Sequence, residues 1–387
     1  MIKLALDGRE TERSGEGVDR GKRPLYRKIY EELLQKIESG ELKEDQQLPT
    51  EAMLADSYGV SIITSKRALL ELERDGYIFR RRGSGSYVKK RGQQKQTEAY
   101  DIGKMVAMVL PYVDSSGLLG YIQGAADYLD SKGYYLTIHT SNWNYKKEKE
   151  FLTSLPRREI AGIILYPVST QRNIEVLYSH YMNQYPVVTI DQYYDNVPVS
   201  SVVSDNYKGG YMICTELIKR GHSRIAFVSS IGIEYRSSVR DRFYGYCAAL
   251  READLAINTD LIITDFYDKF DQKESRTYYK AMIEQLHELG VTAIQAEHDH
   301  IAVELLWAAL ELGVKVPEQL SIVGFDNHEI SRSVERPVTT VEQNFCQIGS
   351  MAASIILEQI EQGFSQQQRR EKIDVAWIER ESTGPAS

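Results

Sequence analysis

Two groups of residues in this 387-residue chain have types and spacings that could do chemistry. Residues 80–91, RRRGSGSYVKKR, hold six basic side chains and no acidic one, a concentration of positive charge suited to pairing with phosphates. The second group stands at the ends of apolar runs. Asp191 follows Val187-Val188-Thr189-Ile190, and Asp326 follows Ile322-Val323-Gly324-Phe325. A polyhydroxylated ligand needs carboxylate, amide and guanidinium groups that make directed hydrogen bonds, together with an aromatic face for its apolar side. Tyr112, Trp143, Tyr166 and Tyr193 stand just past predicted strand ends and could supply that face. An Asp after an apolar strand also serves as a helix cap, and both readings of these two carboxylates are open at this point.

The basic segment must be presented by what precedes it. Residues 1–23 are rich in Gly, Glu, Arg and Asp without periodicity, and are expected to form a disordered arm. From Pro24, apolar residues Leu25, Ile29, Leu33, Leu34 and Ile37 recur at helical spacing up to Ser39-Gly40. Thr50 is placed to cap a second helix reaching Tyr58, Gly59 permits a tight turn, and Ser61 is placed to cap a third helix reaching Asp75-Gly76. In that third helix Val60, Ala68, Leu69 and Leu72 should face the core, which leaves Ile62, Ile63, Thr64 and Lys66 facing outward. YIFRRRGSGSYV alternates on either side of Gly83-Ser84-Gly85 and predicts a two-stranded hairpin. Three helices and a hairpin with a basic tip make a winged helix-turn-helix over 24–91. Lys66, Arg67, Arg80, Arg81 and Arg82 can then pair with phosphates, while the Gly83-Ser84-Gly85 tip lets backbone approach a minor groove closely.

Residues 92–103, GQQKQTEAYDIG, predict a flexible linker. Beyond it, apolar runs at 104–110, 134–138, 161–165, 187–190, 225–228, 261–264, 293–295 and 320–323 predict strands with helices between them, the first helix over 117–132. Repeated strand-helix units build parallel sheets and bind ligands beyond the strands' carboxyl ends. Residues 104–387 are therefore expected to be an α/β domain. The charge divides along the same line: 1–91 balance to +3 and the remainder to −11.

Several classes are excluded or disfavoured. No stretch approaches the ~20 apolar residues of a membrane span and the N-terminus turns polar too early for a signal peptide, so a cytoplasmic location is expected. Cys214, Cys247 and Cys346 are odd in number and far apart; they predict buried small hydrophobes rather than disulfides or a zinc site. Gly-x-Gly-x-x-Gly, Gly-Lys-Ser/Thr, Gly-x-Ser-x-Gly and His-x-x-x-His signatures are absent. No enzyme, cofactor or metal is expected.

Four motifs in order, Leu48-Pro49-Thr50-Glu51, Tyr58-Gly59-Val60-Ser61, Leu69-x-x-Leu72-Glu73-x-Asp75-Gly76 and Arg81-Arg82-Gly83-Ser84-Gly85-Ser86-Tyr87-Val88, resemble the DNA-binding domain of GntR-family regulators. The resemblance implies DNA contacts from Thr50, Ser61, Ile62, Ile63, Thr64, Lys66, Arg67, Arg81, Arg82, Gly83, Ser84 and Gly85. Where many relatives have Arg this chain has Ile62, and often also where it has Ala52. An Ile can touch a thymine methyl but cannot read guanine bidentately, so the operator should depend less on guanine there.

The second half carries Val203-Ser204-Asp205-Asn206-x-x-Gly209-Gly210, Leu217-Ile218-x-x-Gly221-His222-x-x-Ile225-Ala226-Phe227, Arg242-x-x-Gly245-Tyr246, Gly313-x-x-Val316-Pro317 and Val323-Gly324-Phe325-Asp326-Asn327, closing with Thr339-Thr340-Val341. These resemble the LacI/GalR effector domain. That resemblance implies two periplasmic-binding-protein-like α/β lobes crossed by three strands, with a ligand in the cleft. It implies sugar contacts from Asp191, Arg240, Asp326 and Gln343, and stacking from Phe266. Tyr112, Trp143 and Tyr166 are the other aromatic candidates. His298 stands where sugar-binding relatives usually have Asn. Together the halves resemble the arabinose-repressor type of regulator. The expected protein is a nucleoid-associated, homodimeric repressor of carbohydrate-utilisation genes, released from operator DNA by a small sugar, first of all L-arabinose. A purine- or corepressor-responsive regulator is the alternative within regulation, and a cytoplasmic sugar-binding or enzymatic protein the alternative outside it.

Overall fold

The structure, a computed structural model, describes residues 25–81, 85–89, 104–113, 116–267, 275–363 and 368–386. The expected disordered arm, the linker to residue 103 and the wing-tip residues Arg82, Gly83 and Ser84 lie outside the described residues. The chain divides into two compact units, Met1–Tyr100 and Asp101–Ser387.

In the first unit, helices α1 (Leu25–Glu38), α2 (Glu51–Tyr58) and α3 (Ile62–Arg74) precede strands β1 (Ile78–Arg81) and β2 (Gly85–Val88). Both predicted caps form: the Thr50 side chain accepts from Met53 N–H at 3.3 Å and that of Ser61 from Thr64 N–H at 3.3 Å. Between α2 and α3 the chain turns through Gly59 at φ +62°, a region costly for residues with a Cβ. The hairpin is antiparallel, with Ile78 opposite Val88 and Arg81 opposite Gly85. Ile29, Leu33, Leu54, Ala68, Leu69, Leu72, Ile78 and Val88 form its core.

The second unit contains two lobes. The first lobe takes β3 (Met105–Leu110), α4 (Ser116–Ser131), β4 (Tyr135–Thr140), α5 (Tyr145–Ser154), β5 (Ile160–Leu165), α6 (Ile174–Met182), β6 (Val187–Ile190) and β7 (Ser200–Ser204). The chain then passes to the second lobe: α7 (Asn206–Lys219), β8 (Ile225–Val228), α8 (Ser237–Glu252), β9 (Ile262–Ile263), α9 (Ser275–Glu288), β10 (Ala293–Ala296), α10 (Asp299–Glu311), β11 (Ser321–Val323) and β12 (Thr340–Gln343). It returns as α11 (Phe345–Glu361) and β13 (Arg370–Ile373), and crosses once more into β14 (Val375–Ile378), which pairs with β12. The lobes are built on parallel sheets of order β13-β7-β6-β5-β3-β4 and β11-β10-β8-β9. Three crossings, at 204–206, 343–345 and 373–375, join them.

Apolar clusters cover both faces of each sheet, which is why most of the strands read as continuous apolar runs in the sequence. Two expectations are corrected. The strand predicted over 261–264 shrinks to Ile262–Ile263, because Thr259–Leu261 form a 3-10 turn opened by the Asn258 side chain. Of the cysteines Cys214 is buried, but Cys247 is only half-buried and Cys346 is exposed, near the start of α11. Among the described residues no helix is long and apolar enough to cross a membrane.

Candidate functional site

Where β6 and β11 end, the chain turns sharply: Asp191 has φ +67° and Asp326 φ +108°. Non-glycine residues occupy this half of backbone space at a cost, and such strain concentrates at binding sites. Neither carboxylate caps a helix. Both line a cavity of about 330 Å³ between the lobes, Asp191 from the first and Asp326 from the second.

Arg242 is the buried guanidinium of that cavity, which the half-buried Arg236 also lines. Its helix α8 lies against α7 in backbone contact: a Cβ on Gly210 would stand 2.1 Å from Arg242 O, and one on Gly245 2.2 Å from Tyr207 O. So held, the buried guanidinium lies 3.6 Å above the Phe325 ring, donates from Nε to Asn206 Oδ1 at 2.8 Å and approaches Asp326 Oδ1 to 3.5 Å. Asp326 also accepts from Gln343 Nε2 and lies 3.4 Å from His328 Nε2. Burial works against the Asp326 charge, but the His328 hydrogen bond and the Arg242 cation outweigh it and hold the carboxyl down at about 2. Burial likewise disfavours the His328 cation, yet hydrogen bonding and charge from Asp326, with Asp299 behind it, raise its pKa.

On the opposite wall Tyr121 donates its hydroxyl to Asp191 Oδ1 at 3.1 Å. Burial raises the Asp191 pKa against the opposing pull of Arg242 and Tyr166. Aromatic rings complete this wall: Trp143 stacks on Tyr112 at 5.1 Å, and Phe345 meets Tyr121 edge-on at 5.1 Å. The arrangement presents acceptors, donors and flat apolar faces to one shared cleft, which is what a small ring bearing hydroxyls requires.

Of the sequence candidates, Tyr112, Trp143, Tyr166, Asp191, His298, Asp326 and Gln343 line the cavity; Arg240 and Phe266 do not. Arg240 and Arg242 are two helical residues apart, a rotation of ~200°, so they cannot share a face. Arg240 instead pairs with Asp195 at 2.9 Å and reaches the Tyr193 hydroxyl at 3.2 Å. Tyr193 is likewise drawn out of the cleft, donating to Asp241 at 2.9 Å. Phe266 is core, packed at 5.5 Å from Tyr278, and its neighbour Tyr267 lines the cavity in its place. His298 both lines the cavity and caps α10, its Nδ1 accepting from Ile301 N–H at 3.3 Å. That leaves a proton on Nε2, 3.5 Å from Glu297 Oε1, and burial lowers the ring's pKa against the raising charge of Glu297.

Sequence reasoning missed Tyr121, Arg236, Arg242, Tyr267, His300, His328 and Phe345 as lining residues. The phase of Arg242 relative to Gly245 could have identified it; the others carry no local signal. Among the described residues no three His, Cys, Asp or Glu side chains are placed to hold a metal.

A pH dependence follows. Burial and the Asp326 charge lift buried Asp299 to about 7 against hydrogen bonds from Thr340 and the His328 backbone. A carboxyl whose folded pKa is raised penalises folding increasingly as pH climbs from its unfolded value through about 7. A histidine whose folded pKa is raised, as that of His328 is, loses its contribution as pH climbs through the folded value. His139, His180, His222, His298 and His300, whose pKa values burial lowers, act with the opposite sign, so the Asp299 contribution is read as a difference: wild type should lose melting temperature relative to Asp299→Asn as pH rises from about 5 to 7. A difference between the two that does not change over that interval would contradict the assignment.

In the first unit Thr50, Ile62, Arg81 and Gly85 line one groove between the start of α3 and the hairpin. Ile62 is 56 % exposed, as an outward reader must be, and Lys66 is exposed beside it. The Ser61 and Thr64 hydroxyls lie 2.9 Å apart. Arg67 pairs with Glu71 at 3.5 Å and covers the Tyr26 ring. Arg80, expected to meet phosphate, is bound within the domain to Glu51 at 3.2 Å and Glu73 at 3.0 Å. Arg81 instead stands over the Phe79 and Tyr87 rings. Arg81→Ala should therefore flatten the salt dependence of DNA binding by roughly one unit of slope, and Arg80→Ala should leave the slope unchanged. Equal slopes for Arg81→Ala and wild type would remove the hairpin from the interface.

Residues 25–88 match the family described as bacterial regulatory proteins, gntR family, and residues 214–383 match the periplasmic binding protein-like domain. The arabinose metabolism transcriptional repressor of Geobacillus stearothermophilus is 29 % identical over 343 residues, covering 88 % of this chain and 92 % of that protein. The transcription regulator CcpA of Lactococcus lactis superposes with a TM-score of 0.64 at 25 % identity, covering 72 % of this chain and 99 % of that one. A LacI family transcriptional regulator from Enterococcus faecium, solved with bound ribose, shares the fold with a TM-score of 0.61 at 22 % identity, over 73 % of this chain and 100 % of that one. The chain is thus a transcription regulator that carries a gntR-family DNA-binding domain followed by a periplasmic-binding-protein-like domain of the LacI type.

Proposed function

We propose that this regulator is a cytoplasmic, dimeric repressor of carbohydrate-utilisation genes, and that a small sugar entering the cleft releases it from its operator. Residues 24–91 read DNA and residues 104–387 bind effector and dimerise. Thr50, Ser61, Ile62, Ile63, Thr64, Lys66, Arg67 and Arg81–Gly85 contact the operator. The observation that carries the reading is the shared cavity, with Asp191 of one lobe facing the Arg242–Asp326 pair of the other across three chain crossings.

A ligand bridging the two walls favours the closed cleft and changes the lobe angle, which sets the spacing of two DNA readers on a symmetric dimer. L-arabinose is the first ligand to test, on the likeness to the Geobacillus repressor. A thermal-shift screen across pentoses, hexoses and nucleobases tests the class. Stabilisation by one or more sugars supports the reading, and stabilisation by nucleobases alone would replace it with the purine-responsive alternative. Sedimentation of the full chain without DNA should show a dimer at micromolar concentration.

A further inference from the structure

Four buried residues and the partly buried Asp326 close a hydrogen-bond ring beside the cleft. Arg242 Nε donates to Asn206 Oδ1 at 2.8 Å, and Asn206 Nδ2 donates to the Ser204 carbonyl at 3.1 Å. The Ser204 hydroxyl donates to Gln343 Oε1, Gln343 Nε2 donates to Asp326 Oδ1, and Asp326 returns to Arg242 Nη2 at 3.5 Å. Arg242, Asp326 and Gln343 line the cavity; Ser204 and Asn206 do not, and are 1 % and 2 % exposed.

The place of these two in the fold gives the ring its meaning. Ser204 ends β7 in the first lobe and Asn206 begins α7 in the second, so they flank the first crossing. Gln343 ends β12 at the second crossing. Its amide has one orientation that serves both neighbours, because an ionised carboxylate only accepts: Nε2 must face Asp326, leaving Oε1 to take the Ser204 hydroxyl. Asn206 is constrained in the same way, since Arg242 only donates.

We propose that Ser204 and Asn206 are positioning residues that tie occupation of the cleft to the lobe crossings. They act through Gln343 and Arg242 rather than on the ligand. A ligand drawing on Asp326 or Arg242 perturbs a ring anchored on both sides of the hinge, so that binding and hinge geometry share one set of bonds. The functional part of this inference rests on the cleft being the effector site.

The test is amide hydrogen exchange on the full chain without ligand. In Ser204→Ala, peptides spanning 200–206 and 340–345 should exchange about 10-fold faster, while peptides in β10 and α10 are unchanged. Ser204→Thr, which keeps the hydroxyl, should restore protection. Asn206→Asp keeps the acceptor for Arg242, loses the donor to Ser204 O and should reproduce the alanine result. Unchanged exchange at the crossings, or uniform acceleration throughout the second unit, would overturn the proposal. A second arm measures operator affinity with and without L-arabinose. The wild-type response should shrink by about 5-fold or more in Ser204→Ala, with the sugar's own thermal shift retained. A retained response in that variant overturns the coupling. A wild-type chain indifferent to L-arabinose counts instead against the choice of sugar, and the exchange result then decides the ring alone.

Discussion

Arg242→Ala is expected to cost the second unit about 3–5 kcal/mol of stability and to abolish the sugar response. Arg242 is only 6 % exposed and directs its donors to Asn206, the Glu297 carbonyl and Asp326. Its removal leaves Asp326 buried with His328 as its remaining charged partner and leaves the Glu297 carbonyl without that donor. Arg242→Lys should recover only part of the loss, because an ammonium cannot reproduce the guanidinium fork. Arg240→Ala should be mild by comparison, since Arg240 pairs with the half-exposed Asp195. Denaturant unfolding of the three variants, with operator release measured alongside, checks the ranking; equal losses at 240 and 242 would contradict the placement of α8.

The second large effect is expected from Gly210→Val. The new side chain would strike the Arg242 carbonyl, with Cβ only 2.1 Å away, and no rotamer can relieve a clash with backbone. Helices α7 and α8 would have to separate, at about 3 kcal/mol or more. Because the struck atom belongs to Arg242, sugar binding should weaken together with stability. A variant with normal melting and a normal sugar response would show that the two helices are not in backbone contact.

Much of this architecture is legible in the sequence because parallel strands buried on both faces leave unbroken apolar runs. Val187–Ile190 and Ile225–Val228 are found to the residue. The segments around the hinge are not legible in that way. β7 reads SSVVS although it is buried throughout, and β13 reads REKI because it is the edge strand of its sheet. Asp191 and Asp326 stand out as carboxylates closing apolar runs. Arg242 was hidden by the choice between two arginines on one helix, which only helical phase resolves. His328 and Phe345 reach the cavity from a loop and a helix start that share no periodicity with the strands. In the winged domain the caps Thr50 and Ser61 were readable from residue type. The engagement of Arg80 with Glu51 and Glu73 was not, since its partners lie 29 and 7 positions away in sequence.

The central claim, that a sugar in the cleft loosens DNA binding, is tested most directly by fluorescence anisotropy on a labelled pseudo-palindromic promoter fragment selected by the full chain. The complex is titrated with L-arabinose, other sugars and a nucleobase, for the wild type and for Asp326→Ala. With ~1–3 kcal/mol of coupling, a sugar should weaken operator binding ~5- to 150-fold in the wild type. Asp326→Ala should bind the operator as tightly as the wild type and fail to release it. Operator binding indifferent to every sugar, or release that persists in Asp326→Ala at the wild-type sugar concentration, would contradict the account.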